Sequence, residues 1–305
     1  MPRILSGSSG RDDADFRYRH AYTFRTRYSF QMTSPAIGII GAGHLGRTLA
    51  RMFRDHGVPD DRLRISHAGN PATRDAIRGA GLAANVSDNR EICRASQVIF
   101  ITVRPQSAGS LDGLPFPRDG CIVSCMAAIP RDLLADRWGA HVVRMMPCGP
   151  DTILDGKGIA AVYPGDAMLS HLLRSAGFRL QELPDEDAMD IFTTGVCLPP
   201  AILAARAEGR DPESEIPDLA RNFPLIGELI PWVRDVLPAF GSDEERERYI
   251  AKMSTKGGIT EAVVGSVRSG SSLTDAMQAG VARCREIGRE RAREAAGRTA
   301  DVGTS

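Results

Sequence analysis

From Ala36 onward, short apolar runs alternate with stretches whose apolar residues recur every three or four positions, which predicts strands separated by helices. The runs at 36–40, 63–66, 98–103, 121–125, 142–146, 159–163 and 178–183 read as strands, and 44–56 and 167–176 read as helices between them. Gly57 stands where a helix C-terminus favours glycine. Six or seven strands linked in this way predict a doubly wound, mostly parallel α/β sheet of the Rossmann type. After Pro184 the strand signals cease and helical patterns take over. The clearest of these is 273–287, where Leu273, Met277, Val281, Cys284 and Ile287 share one helical face and predict a core or dimer seam. The expected organisation is a leader over 1–34, a sheet domain over 35–184, an all-helical domain over 185–290, and a polar tail over 291–305.

Composition narrows the class without naming it. The chain has 305 residues, of which 42% are hydrophobic and 25% charged, as in a globular protein large enough for one big or two ordinary domains. Lys and Arg (38) balance Asp and Glu (38), so no broad basic field favours nucleic acid or an anionic membrane. No apolar run approaches the roughly 18 residues of a membrane helix. A small-molecule partner and a cytoplasmic location are expected. Cysteines 93, 121, 125, 148, 197 and 284 form no CxxC pair, and the six histidines form no HExxH or HxxxH group, so we expect reduced, packed thiols and no metal. Residues 1–34 mix Arg, Tyr and Phe with Asp and lack a continuous apolar segment, which predicts a disordered extension or a start placed upstream of Met32 instead of a secretory signal.

The most specific motif is Gly41-Ala42-Gly43-His44-Leu45-Gly46, a GxGxxG directly after the first strand and opening the first helix. In that context the first glycine permits a tight turn, the second lets backbone approach a pyrophosphate, and the third lets helix and strand pack closely. Twenty residues on, the second strand ends at Ser66, where an NAD-selective site would present an acid. The neighbouring Arg64, His67, Asn70 and Arg74 offer donors, which favours NADP over NAD. A second loop, Ser254-Thr255-Lys256-Gly257-Gly258, opens onto the helical pattern Ile259-Thr260-Glu261-Ala262 and predicts exposed amides at a helix N-terminus, suited to a carboxylate.

Three further segments carry a family resemblance. Phe100-Ile101-Thr102-Val103-Arg104-Pro105-Gln106 resembles the strand and Lys-Pro-Gln turn of pyrroline-5-carboxylate reductases. Val143 through Pro150, with Gly156 and Gly158, is similar to their Val-Arg-x-Met-Pro-Asn-x-Pro segment, and Met253 through Ala262 resembles their Ser-Pro-Gly-Gly-x-Thr signature. The resemblance spans roughly residues 36–290. It implies a homo-oligomer built on helical dimerisation domains, NAD(P)H as hydride donor, and reduction of 1-pyrroline-5-carboxylate to proline. Carried over by position, it implies that Gly41, Ala42, Gly43, His44, Leu45, Gly46, Ser66, Val103, Arg104, Pro105 and Ala127 meet the cofactor. Thr255, with the backbone N–H groups of Gly258 and Ile259, would hold the substrate carboxylate, and Thr260 the ring nitrogen.

The sequence departs from that pattern where substrate shape is read. The family's Ser-Gly-Ser-Gly-Pro-Ala-Tyr is replaced by Val196-Cys197-Leu198-Pro199-Pro200-Ala201-Ile202, Cys148 replaces Asn, and Lys256 replaces Pro. A helix interruption is expected at Pro199-Pro200. Two alternatives therefore stand beside the main reading: a paralogous NADP-dependent imine reductase with another substrate, and a non-catalytic NADP-binding regulatory protein.

Overall fold

The computed structural model describes residues 35–301, so the leader expected over 1–34 lies outside the described residues. Seven strands form one sheet: β1 (Ile37–Ile40), β2 (Leu63–Ser66), β3 (Val98–Ile101), β4 (Cys121–Ser124), β5 (His141–Pro147), β6 (Ile159–Tyr163) and β7 (Arg179–Glu182). Their order is β2-β1-β3-β4-β5-β6-β7. β1 to β5 run parallel, β6 is antiparallel to β5, and β7 is parallel to β6. The reversal follows from chain length, because the link from Pro147 to Ile159 is shorter than the dozen or so residues of a parallel crossover.

The helices are α1 (His44–Asp55), α2 (Pro71–Gly79), α3 (Asn89–Ala95), α4 (Arg131–Trp138), α5 (Pro150–Leu154), α6 (Ala167–Ser175), α7 (Ala188–Gly195), α8 (Leu198–Ala207), α9 (Ile216–Asn222), α10 (Pro224–Val236), α11 (Asp243–Met253), α12 (Ile259–Arg268) and α13 (Leu273–Asp301). β1, β3 and β4 are buried at every position, so their runs are apolar on both sides instead of alternating apolar with polar. Successive side chains point to opposite faces and feed two cores. Ile37, Ile39, Val98, Phe100 and Val123 join α1, α6 and the later helices on one face. Ile99, Ile101 and Ile122 join Ile92 of α3 and Leu134 and Trp138 of α4 on the other.

Every described element after β7 is helical. The first core continues through this region, from Phe192 of α7 to Met277 of α13. α13 packs against α7 and α12, and Gly280 is what permits the approach: a Cβ there would lie 2.5 Å from both Thr194 Cγ2 and Val263 Cγ2. Trp232 Nε1 donates to the Lys157 carbonyl (2.8 Å), which ties α10 to the link before β6. α13 continues past Ile287 to Asp301, through residues expected as tail, because Arg, Glu and Ala are favourable helix formers. The expected interruption near Pro199-Pro200 falls just before them. α7 ends at Gly195, and the prolines sit in the first turn of α8, where their missing N–H groups would have had no helical partner. No single helix among the described residues is long and apolar enough to cross a membrane; α7 and α8 reach that composition only together, across a 45° bend.

Two glycine substitutions separate packing from propensity. Gly280→Ala should lower the unfolding free energy by about 1–3 kcal/mol, the usual range for an overpacked core. Gly265→Ala, on α12 with nothing within 4 Å of the added methyl, should raise it by about 0.4–1 kcal/mol. Urea denaturation midpoints of the two variants check both.

Candidate active site

The loop after β1 is fixed by backbone contacts. Gly41 adopts φ 112°, a conformation that glycine tolerates and other residues rarely do. Its N–H and that of Ala42 both donate to the Ser66 carbonyl, at 3.3 and 2.8 Å, so the end of β2 holds the turn. The Thr102 hydroxyl, just past β3, donates to the Gly41 carbonyl at 2.6 Å. Gly46 lies against the same carbonyl, where a Cβ would stand 2.0 Å from the oxygen. Gly43 is different: its φ of −64° suits any residue, and a Cβ there would meet nothing within 4 Å. It caps α1 with no side-chain hydrogen bond, so the first-turn amides face an open space beside a bare backbone. That is the cradle a pyrophosphate requires, and the residues present fit a dinucleotide.

The remaining cofactor residues expected from the sequence lie around this loop in different ways. Val103 is half-buried against Gly41: a Cβ on that glycine would lie 2.9 Å from Val103 Cγ1. Arg104 is exposed at the start of a short 3-10 helix, Pro105–Leu111, and Pro105 is half-buried. Ala127 is half-buried in the bend after β4, beside Ala128 at φ 61°. Leu45 packs into the core. Ser66 is only 4% exposed, and its backbone clamp on the loop is its principal contact. The donors beyond it are more open. Asn70 Oδ1 caps α2 through the Ala72 N–H (2.9 Å), and Arg74 is exposed with no ion pair among the described residues.

His44 turns toward Asp151 at the start of α5, with Nε2 3.3 Å from Oδ1. Asp151 also accepts from Lys252 Nζ at 2.7 Å. The Lys252 hydrogen bond and charge, joined by His44, hold the Asp151 carboxyl below its ordinary range. These three groups line a cleft of about 550 Å³ whose wall also includes Gly149, Tyr249, Met253 and Thr255. The first residue of the α1 helix and the loop carrying Thr255 therefore share one cavity. Asp151 and Lys252 were not among the sequence candidates. Each adjoins a motif, but an isolated surface charge carries no periodic or spacing signal.

The second loop is more committed than the sequence implied. The Gly257 N–H donates to Glu261 Oε2 (2.6 Å), a capping-box arrangement from the first turn of α12. The Gly258 N–H, expected to hold a carboxylate, donates to the Thr255 carbonyl at 2.8 Å. Ile259, the first residue of α12, keeps an N–H with no partner among the described residues. Arg283 of α13 clamps the loop from outside, with Nε and Nη2 donating to the Gly257 carbonyl at 2.9 and 2.8 Å. Thr260 points inward, its hydroxyl donating to Cys197 Sγ at 3.2 Å. That thiol donates to the Thr193 carbonyl at 3.4 Å, and burial pushes it up to about 11. Cys148 is likewise buried and pushed up to about 11, so both are packed thiols and not nucleophiles.

A second cavity of about 430 Å³ lies between the β4 and β5 loops and α7 and α13. Its deepest charge is Arg144, 6% exposed and paired with Glu186 at 2.8 Å.

Residues 36–128 match a family model described as NADP oxidoreductase coenzyme F420-dependent. The chain is 30% identical over 156 residues to a pyrroline-5-carboxylate reductase of Pisum sativum, covering 47% of this chain and 56% of that one. It is 27% identical over 248 residues to that of Pseudomonas aeruginosa, covering 78% and 90%. It spans little more than half the length of the pea enzyme and of several other curated relatives it matches. Among solved structures it is similar to a pyrroline carboxylate reductase of Plasmodium falciparum with NADP bound: TM-score 0.53, 21% identity, 84% of this chain and 99% of that one.

The two loop glycines make opposite predictions. Gly46→Ala should destabilise the fold by about 1–3 kcal/mol through its collision with the Gly41 carbonyl. Gly43→Ala should leave the thermal midpoint unchanged and weaken dinucleotide binding at least tenfold; differential scanning fluorimetry with and without NADPH reads both.

Proposed function

We propose that the chain is a divergent member of the pyrroline-5-carboxylate reductase family and that it reduces a small cyclic imine acid with NADPH, 1-pyrroline-5-carboxylate first. The observation that carries the reading is the shared cleft, in which His44 of the glycine loop and Thr255 of the second loop stand on one wall. We read residues 35–184 as the cofactor half and 185–290 as the substrate half of a homo-oligomer.

When bound, the nicotinamide supplies the hydride. The chain's own task is placement, because a protonated imine already carries the proton that makes its carbon electrophilic. Ordering donor and acceptor at near-contact distance can supply several kcal/mol of the barrier. The Ile259 N–H and the α12 N-terminus present positive charge to the substrate carboxylate, with the Thr255 hydroxyl beside them. Thr260 is oriented by the hydrogen-bond chain behind it. Its hydroxyl proton is committed to Cys197 Sγ, and the Cys197 proton to the Thr193 carbonyl, so the Thr260 oxygen is left as an acceptor. An acceptor is what an iminium N–H requires. At the adenosine end, Arg74 and the Asn70-capped α2 offer charge to a 2′-phosphate.

The same Cys197 contact favours a second reading, in which the substrate is another cyclic imine. Val196 and Leu198 replace hydroxyl-bearing positions of the family pattern and Cys197 replaces a glycine, so a ring with a longer or less polar edge suits this site.

The first experiment follows NADPH oxidation at saturating cofactor with 1-pyrroline-5-carboxylate, pyrroline-2-carboxylate and piperideine-6-carboxylate. Turnover of the first fastest supports the main reading; preference for another supports the second, and turnover of none at full NADPH occupancy overturns both. Thr260→Val should lower kcat about tenfold or more, the worth of one charge-assisted hydrogen bond in the transition state, with NADPH affinity unchanged. Arg283→Ala should raise the substrate KM several-fold and leave kcat nearly intact, because it loosens the loop and touches no reacting atom.

Cofactor choice has its own test. Arg74→Ala should weaken NADPH binding about tenfold while leaving NADH binding unchanged; equal losses for the two, measured by fluorescence titration, would remove Arg74 from the phosphate site.

A further inference from the structure

At the amino ends of the central strands the sheet aligns three metal-binding side chain types that no sequence spacing announces. Cys121 opens β4 and His141 opens β5, and the two are direct partners in the parallel register, so their side chains leave the sheet on the same face. The antiparallel register of β5 and β6, carried three residues beyond the Arg144–Tyr163 pair, leads to His141 and Asp166. One ligand atom from each of Cys121, His141 and Asp166 lies within 4.8 Å of the others, and His141 Nε2 is 3.3 Å from Asp166 Oδ2.

The local bonding leaves these atoms free to converge. Asp166 Oδ1 caps α6 by accepting from the Leu169 N–H at 2.8 Å, which fixes the carboxylate and presents Oδ2 toward the strands. Cys121 is buried, and its sulfur makes no hydrogen bond among the described residues. The His141 side chain is 43% exposed, so an ion can enter from water.

We propose that Cys121, His141 and Asp166 form a binding site for a divalent transition-metal ion, Zn2+ in the first instance. Sulfur, imidazole nitrogen and a monodentate carboxylate are the donor set of zinc, while Mg2+ and Ca2+ require oxygen ligands. Three protein ligands leave a fourth position for water. Binding expels the Cys121 proton to solvent, and the resulting thiolate and carboxylate together neutralise the ion's two charges. The site sits at the opposite end of the strands from the loops at 41–46 and 102–105. Its role is therefore a clamp joining β4, β5 and the start of α6, and not chemistry on the substrate.

The test uses the full chain, stripped with a chelator and titrated with Co2+ and then Zn2+. The expected result is a thiolate-to-cobalt charge-transfer band in the near ultraviolet, displaced by Zn2+, with a higher thermal midpoint in Zn2+. Cys121→Ser and His141→Ala should each abolish the band, and His141→Ala should weaken Zn2+ by more than the roughly 10–100-fold typical of losing an outer-shell partner. Cys93→Ser should leave it intact. Should Cys121→Ser fail to fold, His141→Ala, altered at a largely exposed side chain, decides the matter with circular dichroism as the control for folding. No charge-transfer band in the parent chain, or a band that persists in His141→Ala, overturns the proposal.

Discussion

The absence of a side chain at Gly46 is the constraint on which the glycine loop and the strands around it depend. With the Gly41 carbonyl 2.0 Å from where a Cβ would stand, the first turn of α1 and the end of β1 meet backbone to backbone. That same carbonyl takes the Thr102 hydroxyl, and the adjoining N–H groups take the Ser66 carbonyl. Three neighbouring strands, β2, β1 and β3, are thus tied at their carboxyl ends through one peptide unit. The tie does more than shape a turn. It fixes the direction in which α1 leaves the sheet, and hence the place where its uncapped amides point. In doubly wound sheets ligands lie at the carboxyl ends of the strands, and here the loop, the turn after β3 and the bend after β4 converge there because that tie is rigid.

The second loop is held by a different kind of force. Gly257 and Gly258 have few packing contacts; their order comes from hydrogen bonds supplied by Glu261, Thr255 and Arg283. Among the described residues the Ile259 N–H, at the start of α12, remains unspent. An anion arriving there meets the helix dipole and Lys256, while Glu261 one turn along opposes it and must stay on the Gly257 N–H to be out of the way. The Glu261 hydrogen bond and the Arg283 clamp are therefore parts of one device: one keeps a carboxylate turned aside, the other keeps the glycine pair from collapsing onto the helix end. At the cleft mouth Asp151, held between His44 and Lys252, neutralises basic charge that an anionic cofactor would otherwise meet. Both ion pairs are largely exposed, so their net contribution to stability is small.

What the sequence made legible was whatever rests on local periodicity or on glycine. β2 and β6 begin and end where their apolar runs do, and the glycine loop occupies its expected place, because those features are decided within a few residues. The reversal of β6 was hidden because direction depends on the length of the intervening link, which a strand pattern does not encode. α13 outran its apolar stripe because helix propensity continues where the apolar periodicity ends. The charged trio His44, Asp151 and Lys252 spans three helices, α1, α5 and α11, and the Cys121, His141 and Asp166 group is assembled by sheet register alone. Neither leaves a spacing to find. Gly258 shows the converse: a motif identified the loop but could not show that the residue's own N–H is used to close it.

The altered segment 196–202 bears on chemistry through hydrogen-bond direction more than through size. The glycine that the family pattern has at position 197 would give Thr260 no side-chain partner and leave its hydroxyl free to donate or to accept. A buried thiol whose proton is already directed to the Thr193 carbonyl removes that freedom, since sulfur then serves Thr260 as an acceptor only. Prolines in the first turn of α8 add to this by fixing the backbone that carries Cys197, with no helical hydrogen bond lost. The Cys197 sulfur thus accepts from the Thr260 hydroxyl and leaves the Thr260 oxygen as an acceptor, while Val196 and Leu198 bring no hydroxyl to the segment. Those two effects are separable, since one sets the direction of a hydrogen bond and the other the polarity of segment 196–202.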